Sequence, residues 1–433
     1  MSARSLPDWL SYLEQLHPAA IDMGLDRVRE VAARLGLTRP APRVVTVTGT
    51  NGKGSTCAFI ASLLRGQGLK VGVYGSPHLL HYNERVRIDD SEVDDVALCE
   101  AFEAVESARN GTSLTYFEMG TLAALWLFER ANLDAAVLEV GLGGRLDAVN
   151  LVDADVAVVT NVGLDHAEWL GDSRESVGFE KSGIFRSAKP AICGDLDPPV
   201  SLLSQAESLG VPLCLRGRDY DLASGSANWH WRGVNAVGDQ LELHDLPLLQ
   251  LPLENAALAL QTYALLNLPW QPEFLVRALL QARIAGRFDR RMVHWEGRTL
   301  SLLLDVGHNP HAASYLAGYL AQQPRLRRLA VFGLLADKDL DGILEVMVPH
   351  VSEWAVAPLD SPRSRSATEL RAALLERKAT VYEYPTVAQA LEAQCRRAED
   401  QDEILLFGSF YCVADALKWL TQRTEGTGHG TAG

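Results

Sequence analysis

The stretch that most constrains this chain is Arg43 to Thr56, which reads RVVTVTGTNGKGST. A short β-branched run, Val44 to Val47, enters a loop with three glycines and one lysine, and a helical segment, Ser55 to Arg65, follows directly. β-Branched residues favour a strand. Strand, glycine loop and helix in that order point backbone N–H groups and a helix N-terminus at a polyphosphate. Gly49, Gly52 and Gly54 let the backbone curl close to anionic oxygens, and Lys53 supplies a point positive charge for the β- and γ-phosphates. The loop departs from the Walker A pattern, which has a glycine where this chain has Val47 and a serine or threonine where it has Gly54. An ordinary glycine-rich strand–helix turn is the plainer alternative. Strand, lysine and helix together favour a bound nucleoside triphosphate.

Composition sets the frame for that loop. At 433 residues, 47% apolar and 22% charged, the chain has the size and make-up of a globular enzyme of two or three domains. Its net charge of −15 argues against a nucleic-acid partner, which needs a basic face. The same charge requires lysine, arginine and metal ions to be concentrated wherever an anionic nucleotide sits. Cys57, Cys99, Cys193, Cys214, Cys395 and Cys412 are scattered without CxxC pairs. That spacing reads as reduced thiols in a cytoplasmic protein, not as a disulfide frame or a zinc site. The opening residues, MSARSLPDWLSYLEQ, turn acidic and amphipathic too early for a signal peptide. No run approaches the ~18–20 apolar residues of a membrane span, so no membrane partner is expected.

The first two-thirds of the chain alternate short apolar strands with helices, the pattern of a mostly parallel sheet covered on both faces. Expected strands are Val44–Val47, Val71–Tyr74, Ala136–Val140, Val156–Thr160 and Pro190–Cys193, with helices at Leu122–Arg130 and Asn255–Leu266. The segment from Leu213 to Leu251, with Trp229, His230 and Trp231, reads as an antiparallel excursion. A second series begins near Leu300 with SLLLDVGHNP, LAVFGLLADKD, WAVAPLDSPRS and EILLFGSFYCV. Each is a strand whose C-terminal end carries glycine and polar residues, where open α/β sheets bind ligands. A domain boundary is expected between Gln281 and Arg298.

A second constellation is VLEVGLGGRLDAVN, Val137 to Asn150. Glu139 ends an apolar strand beside Gly141, Gly143 and Gly144, well placed to hold Mg²⁺ against phosphate oxygens, because that ion takes few protein ligands. Arg145 and Asp147 then fall at the pocket rim. Beyond lies TNVGLDHAEWLG, where His166 follows another strand end, and fifteen positions later Lys181 in FEKSGIF. Alone, a strand-end glutamate is a solvated residue, and a histidine near a tryptophan packs or caps. Beside the glycine loop both read as candidate metal ligands.

The chain resembles the folylpolyglutamate synthase/dihydrofolate synthase group of the Mur ligase superfamily. The matching segments run from end to end: DMGLDRV (Asp22–Val28), TGTNGKGST, GSPHLLHYNERVRI (Gly75–Ile88), TYFE (Thr115–Glu118), LEVGLGGRLDAVN, NVGLDHAEWLG, EKSGIF, LENAALAL, GRFD (Gly286–Asp289), DVGHNP (Asp305–Pro310) and FGSFY (Phe407–Tyr411). The resemblance implies an α/β fold with a P-loop, mostly parallel, ATP- and pterin-binding Mur-ligase-like domain over 1–285. A smaller Rossmann-like glutamate-binding domain over 286–424 and a disordered Gly/Thr-rich tail over 425–433 complete it.

It further implies an ATP-dependent amide ligase. ATP phosphorylates a carboxylate to an acyl phosphate, and the amine of L-glutamate displaces the phosphate through a tetrahedral intermediate. Positioning and charge neutralisation dominate such chemistry. The implied nucleotide contacts are Thr50, Asn51, Gly52, Lys53, Gly54 and Ser55 in the loop, with Asn255, Arg287 and Asp305 for adenine and ribose, a split expected of a nucleotide held between two domains. Two Mg²⁺ ions are implied, Ser76 and Glu139 on one, His166 on the second. Lys181 matches a lysine that is carbamylated in the group, which turns an ammonium without lone pairs into an anionic ligand. Lys53, His166, Lys181 and His308 carry the catalytic assignments. The pterin is assigned to Asp22, Met23, Thr115, Tyr116, Phe117 and Glu118, with Leu146, Asp147 and Ala148, and the incoming glutamate to His308 and Ser409. Asp22 as a cap for the following helix is the competing reading. The group often has alanine where this chain has Gly307.

The expected substrates are therefore 7,8-dihydropteroate, reduced folates and L-glutamate, handled by a cytoplasmic monomer. Polyglutamylation alone is one alternative. A ligase of UDP-muramyl peptides is another, but those enzymes carry a further domain before the ATP loop, and the 48 residues preceding Gly49 are too few. A regulatory P-loop NTPase would need neither Glu139, His166 and Lys181 nor a second sheet domain.

Overall fold

The computed structural model describes residues 4–427, and the chain divides into two compact units, Met1–Arg283 and Ile284–Gly433. In the first unit the strands are β1 (Arg43–Thr48), β2 (Val71–Tyr74), β3 (Val86–Ile88), β4 (Ser91–Glu92), β5 (Ala135–Glu139), β6 (Val156–Val159), β7 (Ala191–Cys193) and β8 (Leu213–Leu215). They form one sheet in the order β4-β3-β2-β5-β1-β6-β7-β8. Pairing is parallel along β2-β5-β1-β6-β7-β8, and antiparallel between β2 and β3 and between β3 and β4. β1 occupies the middle because Val44, Val45 and Val47 are all fully buried, and unbroken apolar runs suit strands covered on both faces.

Helix Lys53–Gly66 packs with Leu253–Leu265 and Pro272–Gln281. Val44, Ala136 and Leu138, from alternate strand positions, join Trp9, Val31, Phe102 and Phe128 in a core under helices Leu6–Leu13, Asp26–Leu35, Asp95–Arg109 and Tyr116–Arg130. From β1 the chain crosses to β2, returns to β5 beside β1, and then passes to β6 on β1's other side. The connections leaving β1, β5 and β6 therefore part at the strands' C-terminal ends, which opens a crevice there.

Three expectations need correcting. The phosphate-loop helix begins at Lys53, not Ser55, and Gly54 lies in its first turn. The loop conformation rests instead on Gly49 (φ 151°) and Gly52 (φ 82°). Leu213–Leu215 is no part of the antiparallel excursion; as β8 it extends the parallel sheet beside β7. The excursion itself is a three-stranded sheet of β9 (Asp221–Ser224), β10 (Asn228–Val234) and β11 (Gln240–Pro247), in the order β11-β10-β9. Trp229 and Trp231 are buried there, their indole N–H groups donating to the carbonyls of Pro247 and Ala257.

The second unit holds β12 (Asp289–Trp295), β13 (Arg298–Asp305), β14 (Arg328–Phe332), β15 (Glu353–Val356), β16 (Val381–Glu383) and β17 (Glu403–Phe407), in the order β12-β13-β17-β14-β15-β16. All pair in parallel except β12, which forms a hairpin with β13 across Glu296 and Gly297, both at positive φ as such a two-residue turn demands. The chain leaves β13 for β14 and comes back last to β17 between them, so this sheet too opens a crevice, beyond Asp305 and Phe407. The final helix runs Phe410–Thr427, which carries backbone through the start of the expected tail; 428–433 lie outside the described residues.

Candidate active site

In the first unit, β1 ends at Thr48 and the loop to Lys53 is fixed mainly by the end of β6. Thr50 N–H donates to the Asn161 carbonyl at 3.1 Å, and Asn51 N–H to Asn161 Oδ1 at 3.0 Å. Asn161 Nδ2 and Thr160 Oγ1 both donate to the Asn51 carbonyl, at 3.1 and 2.5 Å. Thr50 Oγ1 and Gly163 bond to one another through their hydroxyl, N–H and carbonyl groups, each at 2.9 Å. The Asn161 amide thus satisfies both polar groups of the Asn51 peptide, as a neighbouring strand would. Any side chain at Gly49 would run into Thr160, and one at Gly52 would meet the Asn255 amide at 2.6 Å. Lys53 Nζ folds over the loop, donating to the carbonyl of Gly49 at 2.9 Å.

Across the crevice, buried Glu139 at the end of β5 accepts from Ser76 N–H at 3.2 Å, and Gly75 leaves room for it: a Cβ there would sit 3.1 Å from the carboxylate. The Ser76–Pro77 peptide is cis. The turn beyond is tied by Glu84, which accepts from the N–H groups of Leu79, Leu80 and His81 at 2.6–2.8 Å. The glycine loop after Glu139 is laced the same way. Thr48 Oγ1 donates to the Gly143 carbonyl at 2.5 Å, while Asp147 accepts from Leu142 and Val149 N–H at 2.9 and 3.0 Å. Burial pushes the Asp147 carboxyl up to about 6 against the lowering effect of those N–H groups.

Lys181, in helix Arg174–Ser182, is almost fully buried. Burial first, and the Lys53 ammonium second, push its pKa down to about 7, with Asp165 opposing. His166, half exposed and in the left-handed conformation, precedes the short helix Ala167–Leu170. Its side chain is therefore open to solvent where that of Lys181 is buried. Among the described residues no group of three or more His, Cys, Asp or Glu side chains converges as a ready-made metal cage.

At one end of this crevice lies a charged network. Arg27 donates to Asp22 Oδ2 at 2.7 Å, to the Asp22 carbonyl at 3.0 Å and to buried Glu118 Oε1 at 2.9 Å. Thr115 and Glu118 form a capping box on helix Tyr116–Arg130: Thr115 N–H donates to Glu118 Oε2 at 2.7 Å and Glu118 N–H to Thr115 Oγ1 at 3.2 Å. Asp22 is not a helix cap. Helix Asp26–Leu35 starts from Leu25, three residues further on, with no side-chain cap, and Asp22 is engaged by Arg27 instead. The network adjoins the glycine loop through Phe117, whose ring would lie 2.7 Å from a Cβ at Gly141, and through Met23, 3.5 Å from one at Gly143. Tyr116 and Tyr82 meet edge to face, with the Arg85 guanidinium 5.5 Å from the Tyr116 ring.

In the second unit Asp305 ends β13 and is buried; its carboxylate accepts from Gly307 N–H at 2.8 Å and Phe288 N–H at 3.1 Å. Burial raises its pKa, while Arg287 and these two donors lower it. Val306 N–H donates to the Gly286 carbonyl and Gly408 N–H to the Gly307 carbonyl, which sets GRFD, DVGHNP and FGSFY side by side. His308 Nδ1 lies 2.9 Å from the Val306 carbonyl, which fixes the proton on that nitrogen. Ser409 is buried and accepts from Tyr411 N–H at 3.2 Å, while the Phe410 ring beside it in sequence meets the His308 ring at 6.0 Å and lies 5.1 Å from the Arg287 guanidinium.

Residues 47–207 match the Mur ligase middle domain, and residues 286–410 the Mur ligase glutamate ligase domain. The dihydrofolate synthase/folylpolyglutamate synthase of Escherichia coli K12 is 45% identical over 426 residues, 98% of each chain. The chain belongs to the dihydrofolate synthase/folylpolyglutamate synthase family. Two solved structures are similar throughout. E. coli FolC in complex with DHPP and ADP has a TM-score of 0.91 at 45% identity, over 98% of this chain and 99% of that one. The Yersinia pestis bifunctional enzyme complexed with AMPPNP and Mn ion has 0.89 at 44%, over 96% and 98%. Members of the family are ATP-dependent ligases, and this chain is one.

In this ligase the first unit gathers Thr50 to Ser55, Asn255, Glu139, Ser76, Lys181 and the Asp22–Glu118 group about one crevice, with Leu146 and the buried Asp147 and Ala148 in the loop that follows Glu139. Arg287, Asp305, His308 and Ser409 share the crevice of the second unit. Residue-by-residue reading missed Thr160, Asn161 and Arg27. Each lay inside a quoted motif, but its partner is far away in sequence: Asn161 acts on Asn51, and Arg27 on Glu118. The T-x-x-E spacing of Thr115–Glu118 is itself the sequence signature of the capping box found there.

Proposed function

We propose that this ligase forms an amide between L-glutamate and the carboxylate of 7,8-dihydropteroate or a reduced folate, through an acyl phosphate made from ATP. The observation that carries the reading is the crevice of the first unit, where a braced glycine loop and Lys53 face a buried carboxylate, Glu139, and a buried lysine, Lys181. Lys53 and the loop N–H groups hold and neutralise the phosphates during transfer. Ser76 and Glu139 suit one Mg²⁺, since an ion that prefers few protein oxygens plus phosphate oxygens needs no cage of its own. His166 and carbamylated Lys181 are assigned to a second. Bound there, the ions would neutralise charge on the transferring phosphoryl group. Burial and the neighbouring Lys53 favour the neutral Lys181 amine, the form that takes up CO₂.

The pterin is assigned to Asp22, Met23 and Thr115–Glu118, adenine and ribose to Asn255, Arg287 and Asp305, and glutamate to His308 and Ser409. Among the described residues no helix is long and apolar enough to cross a membrane; the enzyme is assigned to the cytoplasm as a monomer. The test is to omit glutamate and add hydroxylamine. ATP, Mg²⁺ and dihydropteroate should then yield the hydroxamate, trapping the acyl phosphate. ATP consumption without hydroxamate would contradict it. Separately, ¹³C-labelled bicarbonate should give a carbamate signal in the wild type that Lys181→Ala and Lys181→Arg lack, since a guanidinium cannot serve as that ligand. An identical signal in Lys181→Ala would refute the assignment.

A further inference from the structure

Asp22 is only part of the arrangement at the pterin end, and by itself would be a mobile, half-exposed carboxylate. Its side chain is 40% accessible, yet one of its oxygens is held from two sides. Arg27 Nη1 donates to Oδ2 at 2.7 Å, and His17 Nε2 stands 3.2 Å from the same atom. His17 is anchored in turn, its Nδ1 2.7 Å from Ser113 Oγ, a hydroxyl that also lies 3.3 Å from the Leu16 carbonyl. With the Ser113 hydrogen given to Nδ1, the nearer of its two acceptors, Nε2 carries the ring hydrogen and donates it to Asp22 Oδ2. Arg27 closes the network from the other side through Glu118, which is nearly inaccessible and held by Thr115 N–H.

We infer that Arg27, seconded by His17, is a positioning residue that locks the Asp22 carboxylate with Oδ2 engaged and Oδ1 presented to the donor edge of the pterin. The inference rests on the proposed assignment of the pterin to Asp22. A carboxylate oxygen offers two lone pairs. Arg27 and His17 engage both of those on Oδ2, and among the described residues Oδ1 takes no hydrogen bond. A 2-amino-4-oxo pterin carries adjacent N–H donors that such an oxygen can accept. The guanidinium is suited to the task because its planar fork reaches two carboxylates and a carbonyl in one fixed geometry, which an ammonium cannot do. Arg27 touches no reacting atom, so its loss should weaken pterin binding and leave the chemical step alone.

The experiment measures KM and kcat with each substrate for Arg27→Lys, Arg27→Ala, His17→Gln and Asp22→Asn in the full chain. Arg27→Ala should raise KM for dihydropteroate at least tenfold with kcat within about twofold and with KM for ATP and glutamate unchanged. Arg27→Lys should recover little of this, and methylguanidinium added to Arg27→Ala should lower the KM again. His17→Gln, which leaves the ion pairs in place, should show a smaller rise of the same kind and keeps the test open if Arg27→Ala does not fold. Unchanged KM for dihydropteroate in Arg27→Lys and His17→Gln, with Asp22→Asn impaired, overturns the positioning role alone. Unchanged KM in Asp22→Asn as well overturns the pterin assignment beneath it. A fall in kcat with KM unaltered, or equal losses for all three substrates, would mark Arg27 as structural and overturn the inference.

Discussion

The two crevices of this ligase are built on the same topological device and secured in opposite ways. In each unit a strand is inserted late beside the strand that carries the key loop, β5 next to β1 in the first and β17 next to β13 in the second. The first crevice is laced by side chains reaching to backbone: Asn161, Thr160 and Thr50 on the phosphate loop, Thr48 and Asp147 on the glycine loop after Glu139. The second relies on one buried carboxylate, Asp305, and on strand-end backbone hydrogen bonds such as Gly408 N–H to the Gly307 carbonyl. A loop that must present several N–H groups at once to an anion needs its peptides fixed one by one. A turn that presents one imidazole and one hydroxyl needs only its two ends fixed.

The comparison can be broken most sharply at Lys53. Lys53→Ala should cost on the order of 10²–10³ in kcat, the usual loss for one charge-stabilising group at a transferring phosphoryl, with melting temperature retained. Near wild-type turnover would remove the first crevice from the chemistry. Asn161→Ala tests the lacing itself. It deletes two hydrogen bonds worth about 1 kcal/mol each, so kcat/KM for ATP should fall roughly tenfold to thirtyfold while KM for glutamate holds. An unchanged kcat/KM would show that the loop keeps its shape without the brace.

The second crevice is probed at Gly307. A Cβ there would stand 2.8 Å from Asp305 Oδ1 and 3.2 Å from the Ala312 Cβ. The resemblance suggested that alanine is tolerated at this turn; in this chain the carboxylate would have to give way. Gly307→Ala should raise KM for glutamate by about fivefold, the equivalent of roughly 1 kcal/mol of crowding. No change would mean the turn is looser than its bonding implies.

The smallest expected effect is on stability. The Asp147 carboxyl is raised from 3.8 to about 6, so between those values the unfolded chain has released a proton that the folded chain keeps. Stability contributed by this group is full below pH 3.8 and declines as pH rises to about 6. Asp147→Asn should flatten that part of the stability–pH curve, read by urea denaturation at pH 4 and 6.5. A slope identical to the wild type would show that Asp147 does not titrate there.

Much of this architecture was legible in the residues. The apolar runs gave the central strands within a residue or so, because a parallel strand covered on both faces has no polar position to confuse the reading. Edge elements were not legible: β12 carries Arg290, Arg291 and His294, and β16 is three residues long. Glycine and lysine announced the phosphate loop, but nothing local announced that Asn161, 110 positions away, would hold it. Asp22 shows the same limit. Its neighbours permit a cap, and only the fold, by bringing Glu118 to Arg27 and His17 to Asp22, decides that it forms an ion pair instead.

Coupling of ATP cleavage to amide formation on a pteroate carboxylate is the role proposed for the braced crevice. It is tested most directly by phosphate release from the purified chain with ATP and Mg²⁺, adding dihydropteroate and L-glutamate singly and together. Sustained phosphate release is expected only when both are present, with one dihydrofolate formed per phosphate. Sustained release without glutamate, or none with both substrates present, would contradict it.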